Sequence, residues 1–246
     1  MVTAATSERP TRLQACLGVA GRLLDVLAPP SCAACALPGD ALCARCRAAL
    51  VRPAAPLCER CGHPVAIEVA ACPACPPALD HARQAVAYEG PAPPLVAALK
   101  DRRRRALARL LADLVLEAVG PPGRDVVLVP VPLHPRREAA RGFNQSLLLA
   151  EALGSAWERP VLHLLERRTD GPSQRGAGAA ERARQVAGAF RPRAGGGAPA
   201  RVWIVDDVHT TGATLAACAR VLRRAGAREV GAVCFARAIR GHRSTG

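Results

Sequence analysis

The chain has 246 residues, enough for one or two domains; half are hydrophobic but only 2% aromatic, so its core must be built from Ala, Val and Leu. A formal charge of +14 admits a polyanionic partner. However, Lys100 is the only lysine among 34 basic residues, and the arginines are scattered, which marks a chain-wide bias rather than one dedicated nucleic-acid face. No run is apolar enough to span a membrane, so no membrane insertion is expected. Residues 11–28 lack a clean signal segment because Arg12, Arg22 and Asp25 interrupt them. A cytoplasmic location is expected.

In chain order, Leu13, Leu17, Leu23, Leu24 and Leu27 recur at helical spacing and predict an amphipathic helix packed on the body of the protein. Four C-x-x-C knuckles follow: Cys32/Cys35, Cys43/Cys46, Cys58/Cys61 and Cys72/Cys75. Each offers two thiolates to one tetrahedral ion, so eight cysteines make two structural zinc sites. Persistent disulfides are disfavoured in a cytoplasmic chain. A thioredoxin-like redox pair is disfavoured too, because the knuckles sit in Gly/Pro-rich loops rather than at a helix start. The spacing leaves consecutive and interleaved pairing open, with consecutive pairing preferred. His63 lies beside Cys61, yet the cysteine count needs no histidine, and Cys16, Cys218 and Cys234 read as small core residues. Residues 1–80 are expected to form this helix and double-ribbon module, folded largely by its metal.

From residue 84 to 239, strands alternate with helices. Strands are expected near 84–88, 126–131, 161–165, 202–206 and 229–235, and helices near 93–100, 104–119, 143–153 and 213–225. The alternation predicts an α/β domain over residues 81–246, with a mainly parallel sheet and helices on both faces. Arg102 to Arg105 read as a solvated helix start. The segment VPVPLHPRREAARGFNQ leaves a buried strand and turns through prolines. It carries Arg136, Arg137 and Arg141, which can match pyrophosphate oxygens bidentately. Gly195, Gly196 and Gly197 predict a flexible loop.

Residues 202–214 read VWIVDDVHTTGAT. Val202 to Val205 form a continuous apolar run, as in a strand buried on both faces, and Asp206 and Asp207 sit at its C-terminal edge, where α/β sheets bind ligands. The turn Thr210-Thr211-Gly212-Ala213-Thr214 then opens a helix whose free N–H groups favour a phosphate. Two carboxylates beside a phosphate cradle need ribose hydroxyls or a cation to face. His209 is expected at a solvent-facing position in the loop.

This segment resembles the 5-phosphoribosyl-1-pyrophosphate (PRPP) signature of type I phosphoribosyltransferases. There the acid pair contacts ribose hydroxyls and the T-T-G-x-T turn wraps the 5-phosphate. Together with the four cysteine knuckles, VPVPLHPRR…RGFNQ and the stretch from Gln174 to Ala189-Phe190, it resembles the ComF/GntX family of phosphoribosyltransferase-like proteins over residues 23–239. That resemblance implies a double zinc ribbon on a type I phosphoribosyltransferase domain, with links to competence and DNA uptake. Asp206 and Asp207 would be catalytic. Thr210, Thr211, Gly212, Ala213, Thr214, Arg136, Arg137 and Arg141 would bind PRPP, with Mg²⁺ on the pyrophosphate. Arg167 and Gln174 keep the family pattern, whereas Thr169 and Gly171 replace its second Arg and Thr, and Gln185 stands where Asn is usual. The competing expectation is a non-catalytic scaffold or sensor that binds single-stranded DNA or a helicase-type partner.

Overall fold

The computed structural model describes residues 31–168, 188–195 and 197–239. The helix expected over residues 13–27, Cys16, Gly196, and the loop positions Thr169, Gly171, Gln174 and Gln185 lie outside the described residues. The elements run α1 (Ala44–Ala48), β1 (His81–Ala87), α2 (Ala92–Lys100), α3 (Leu107–Ala118), β2 (Val127–Pro130), α4 (Pro135–Arg141), α5 (Gln145–Trp157), β3 (Leu165–Arg167), β4 (Phe190–Pro192), β5 (Arg201–His209), α6 (Ala213–Arg224) and β6 (Glu229–Arg237).

Strands β1, β6, β5 and β2 form one parallel sheet in that order. Their apolar runs are buried on both faces, and successive residues serve opposite layers. Trp203, Val205, Val233 and Phe235 join a core with Leu95 and Leu99 of α2, Leu111 and Val115 of α3, and Leu149 and Leu153 of α5. Val202, Ile204, Ala232 and Cys234 join a second core with Leu215, Cys218 and Leu222 of α6. The expected α/β sheet with helices on both faces is therefore present, and Cys218 and Cys234 are core residues.

The cysteine knuckles straddle this sheet. Cys32, Ala33, Leu42 and Cys46 belong to the first core, whereas Cys58 and Cys61 belong to the second. From Val51 to Gly62 the chain follows the outer edge of β1. The Ala82 amide donates to the Arg60 carbonyl at 2.8 Å and the Ala87 amide to the Val51 carbonyl at 2.7 Å, while the Gln84 side-chain amide donates to the Gly62 carbonyl. The ribbon thus occupies hydrogen-bonding groups that an exposed edge strand would offer to another chain.

Three expectations are corrected. No strand spans 161–165: residues 160–162 pair only with Leu128, and the chain then turns into β3, which pairs antiparallel with β4. The adjoining β2 has four residues and ends at Pro130, which has no N–H to extend a ladder. Arg102 to Arg105 do not start a helix. They form the turn between α2 and α3, with Arg103 at φ 52°, Arg104 donating to the Ser31 carbonyl at 2.7 Å, and Arg105 stacked 5.3 Å from the Phe143 ring. The Pro-rich segment after β2 contains the short helix α4, capped by His134 and closed by Gly142 at φ 84°.

Gly231 of β6 lies opposite His81 on one side and Trp203 on the other, and the two rings meet edge-on at 5.0 Å across it. A Cβ there would collide with His81 Nε2 and stand 2.6 Å from Trp203 Nε1. Gly231→Ala is expected to lower stability by about 1–3 kcal/mol through overpacking. Urea denaturation of the two proteins measures it, and equal midpoints would contradict this packing.

Candidate functional site

Strand β5 carries its apolar register past Val205, so the acid pair belongs to the strand rather than to the loop. Asp206 is 9% exposed and Asp207 2%. Buried carboxylates need partners, and three segments supply them. From the start of α5, Ser146 Oγ donates to Asp206 Oδ1 at 2.8 Å, and Gln145 Nε2 donates to Asp207 Oδ1 at 3.4 Å. The Asp207 amide donates to Asp206 Oδ1 at 2.9 Å. From the last residue of α2, the Lys100 ammonium forms an ion pair with Asp207 Oδ2. Arg141 of α4 in turn donates to Gln145 Oε1 at 2.5 Å.

Asn144 sets this alignment. Its Oδ1 caps α5 by accepting from the Ser146 and Leu147 amides at 3.0 and 3.4 Å, and its Nδ2 donates to the Val131 carbonyl at 3.0 Å. The helix start is thereby fixed to the end of β2. Burial, and then the charge of Asp207, push the Asp206 carboxyl up to about 7; Lys100 and the Ser146 hydrogen bond oppose the rise. Asp206 therefore carries a proton over part of the neutral range while Asp207 stands against a cation.

Asp206, Asp207, Thr210, Thr214, Arg137 and Arg141 line one cavity of about 310 Å³, together with Lys100, Gln145 and Tyr88. Thr211, Gly212 and Ala213 form the turn into α6, with the Ala213 amide 3.4 Å from Thr211 Oγ1. Gly212 caps α6 at φ 75°, and a Cβ there would lie 2.8 Å from Pro76 Cγ and 2.9 Å from His209 Nε2. Backbone conformation and space both require glycine. Arg136 is exposed on α4 and is not among the cavity's lining residues. Lys100, Ser146 and Tyr88 carried no expected role in the site. The usable signal was rarity, since Lys100 and Tyr88 are the only residues of their kinds.

His209 does not face solvent. β5 continues through it, pairing it with Arg237, and it is 2% exposed. Burial, followed by the charges of Arg237 and His63, lowers it to about 3, so it stays neutral and is unsuited to carry a proton at neutral pH. Arg237 also donates to the carbonyls of Cys61 and Ala74, tying the second knuckle pair to the end of β6.

The cysteines pair consecutively. Cys32, Cys35, Cys43 and Cys46 form one group and Cys58, Cys61, Cys72 and Cys75 the other, each with all Sγ atoms within 4.8 Å. The Cys35–Cys43, Cys58–Cys75 and Cys61–Cys72 sulfurs are 3.8, 3.6 and 3.5 Å apart. A tetrahedral zinc with bonds of about 2.3 Å places its sulfurs about 3.8 Å apart, whereas a disulfide needs about 2 Å. In the first group burial raises Cys32, but amide donors from Cys43, Cys35 and Ala34 outweigh it and bring the thiol down to about 6. Burial and the neighbouring sulfurs push Cys46 up to about 12. Four thiolates at this spacing need a cation, and the donor set fits zinc. His63 is outside both groups. Among the described residues no helix is long and apolar enough to cross a membrane.

Residues 23–76 match the double zinc ribbon domain family. The chain is similar to DNA utilization protein YhgH of Salmonella typhimurium, 36% identical over 214 residues, covering 80% of this chain and 91% of that protein. The Escherichia coli K12 protein of the same name is 35% identical over 199 residues, covering 74% and 85%. Competence protein F of Haemophilus influenzae is 34% identical over 139 residues, covering 54% and 61%. Among solved structures, the purine phosphoribosyltransferase of Pyrococcus horikoshii matches with a TM-score of 0.26 and 22% identity, over 56% of this chain and 71% of that one. The cysteine groups, the strand-borne acid pair and a similarity that runs along four-fifths of the sequence lead to one conclusion: the chain belongs to the ComF/GntX family of phosphoribosyltransferase-like proteins.

Proposed function

We propose that the cavity at the C-terminal ends of β2 and β5 binds PRPP and that the protein transfers its phosphoribosyl group with release of pyrophosphate. The observation that carries this reading is the single cavity shared by a buried acid pair, the threonines of a glycine-capped helix turn and three arginines, Arg137, Arg141 and Arg167. Thr210, Thr214 and the amides of the 211–213 turn hold the 5-phosphate at the positive end of α6. Asp206 and Asp207 take the ribose hydroxyls. As the acceptor bonds to C1, the C1–O bond to pyrophosphate breaks, and the carboxylates offset the positive charge that develops on the sugar. Arg137 and Arg141 neutralise the leaving pyrophosphate, with Arg136 a more distant contributor. Asp207 is already occupied by Lys100, so the pair is not a self-contained cage for a divalent ion; Mg²⁺ would arrive with the pyrophosphate and supply charge there. Residues 1–80 act in this reading as the structural zinc module and 81–246 as the transferase domain. The names of the relatives support a setting in DNA utilization or competence.

A second reading has its own observation. A cavity of about 650 Å³ shares Leu133 and Arg167 with the site and is lined also by Arg168, Arg191 and Arg193. In this reading the protein is a non-catalytic scaffold or sensor whose arginines track single-stranded DNA. Such binding weakens steeply with salt. Salt-independent binding, or none, removes it.

Replacing both Asp206 and Asp207 with Asn is expected to abolish PRPP-dependent pyrophosphate release, followed with a panel of bases and amines; release at the wild-type rate would sink the mechanism. The raised carboxyl of Asp206 also predicts a stability effect. An unfolded Asp titrates near 3.9, so the native state binds an extra proton between roughly pH 4 and pH 7, and the stability associated with it is lost as pH rises through that window. Asp206→Asn is therefore expected to gain stability relative to wild type between pH 4 and pH 7 and to unfold at higher urea at pH 8. A stability difference independent of pH would contradict the raised carboxyl of Asp206.

A further inference from the structure

Every basic side chain of this protein except one is an arginine, and the exception lies in the site. Lys100 ends α2, where the helix dipole favours a cation. Its ammonium pairs with Asp207, while its side chain remains 27% exposed and lines the same cavity as Arg137, Arg141, Thr210 and Thr214. The paired carboxylate side chain is only 3% exposed. A compact ammonium on a flexible four-carbon stem can sit against one buried carboxylate and still turn to another oxygen, whereas a planar guanidinium fork is held by its own geometry. The site therefore carries its own cation beside the acid pair, which removes the repulsion that the pair would exert on an incoming phosphate ester.

We propose that Lys100 is an exchangeable counter-ion: its ammonium holds Asp207 in the empty site, gives the carboxylate over to the ribose hydroxyls when PRPP binds, and moves onto the pyrophosphate oxygens. This rests on the PRPP reading above. It makes Lys100 a ligand-binding residue, and it gives α2, which contributes nothing else to the phosphate turn, a direct part in affinity. The ammonium pairs with Asp207, and the other charged residues that line its cavity are Asp206, Arg137, Arg141 and Arg167.

Because the chain has one lysine, the full-length, zinc-loaded protein grown with ¹³Cε-lysine carries a single lysine methylene resonance, and that resonance reports Lys100 alone. In the empty protein it is expected away from the position of free lysine and to move toward that position in Asp207→Asn. Adding PRPP shifts it, and inorganic phosphate, which reaches only the helix turn, shifts it less. Lys100→Met is expected to weaken PRPP binding about 10- to 100-fold, the loss of one charge-assisted hydrogen bond. A wild-type protein that binds no PRPP overturns the functional reading and this inference with it. Wild-type binding with an unmoved lysine resonance, or equal affinity in Lys100→Met, overturns the counter-ion alone.

Discussion

Two adjacent carboxylates buried at the end of an apolar strand impose the requirement that the rest of the site answers. Neither can be left without a partner, and both cannot be charged side by side without a cation. The protein meets this with groups drawn from distant parts of the chain: Ser146 and Gln145 at one helix start and Lys100 at another helix end. The positions of α2 and α5 over the sheet are thus tied to the electrostatics of β5 as well as to the packing of Leu99, Leu149 and Trp203. The result is an asymmetric pair, one acid inclined to hold a proton and the other set against an ammonium.

What could be read from the sequence was whatever is local. The run Val202–Val205 announces a doubly buried strand, and the Thr/Gly turn announces the helix that follows. The cysteine spacing announces two sites, although only the fold settles consecutive pairing. What could not be read depends on residues brought together from afar. Ser146 is 60 positions from Asp206, and nothing in its neighbourhood marks it as a carboxylate partner. His209 was misread because a histidine beyond an acid pair looks like loop, whereas the strand runs on beneath a cover supplied by the ribbon. The three-residue strands β3 and β4 are too short to leave a periodic signal. Lys100 and Tyr88 were visible only as rarities.

The double ribbon is more than an appended module. Its two halves cover opposite faces of the sheet, and the stretch from Val51 to Gly62 satisfies the edge of β1. Metal at the two cysteine groups therefore stabilises a wrapping that also closes the hydrophobic cores, so the ribbon shares its folding free energy with the domain it encloses.

The contact between Pro76 and Gly212 joins these two themes at a single point. A proline one residue beyond the last cysteine of the second group occupies the space in which the 210–214 turn would otherwise carry a side chain. The ribbon and the turn into α6 thus share one steric boundary, and neither surface is free to drift alone. A side chain at position 212 would meet Pro76 on one side and His209 on the other, so a shifted knuckle would press on the turn without making room in it. The ribbon and the turn should be inherited together, and exchanging ribbons between distant members would disturb the turn before it reached the acid pair.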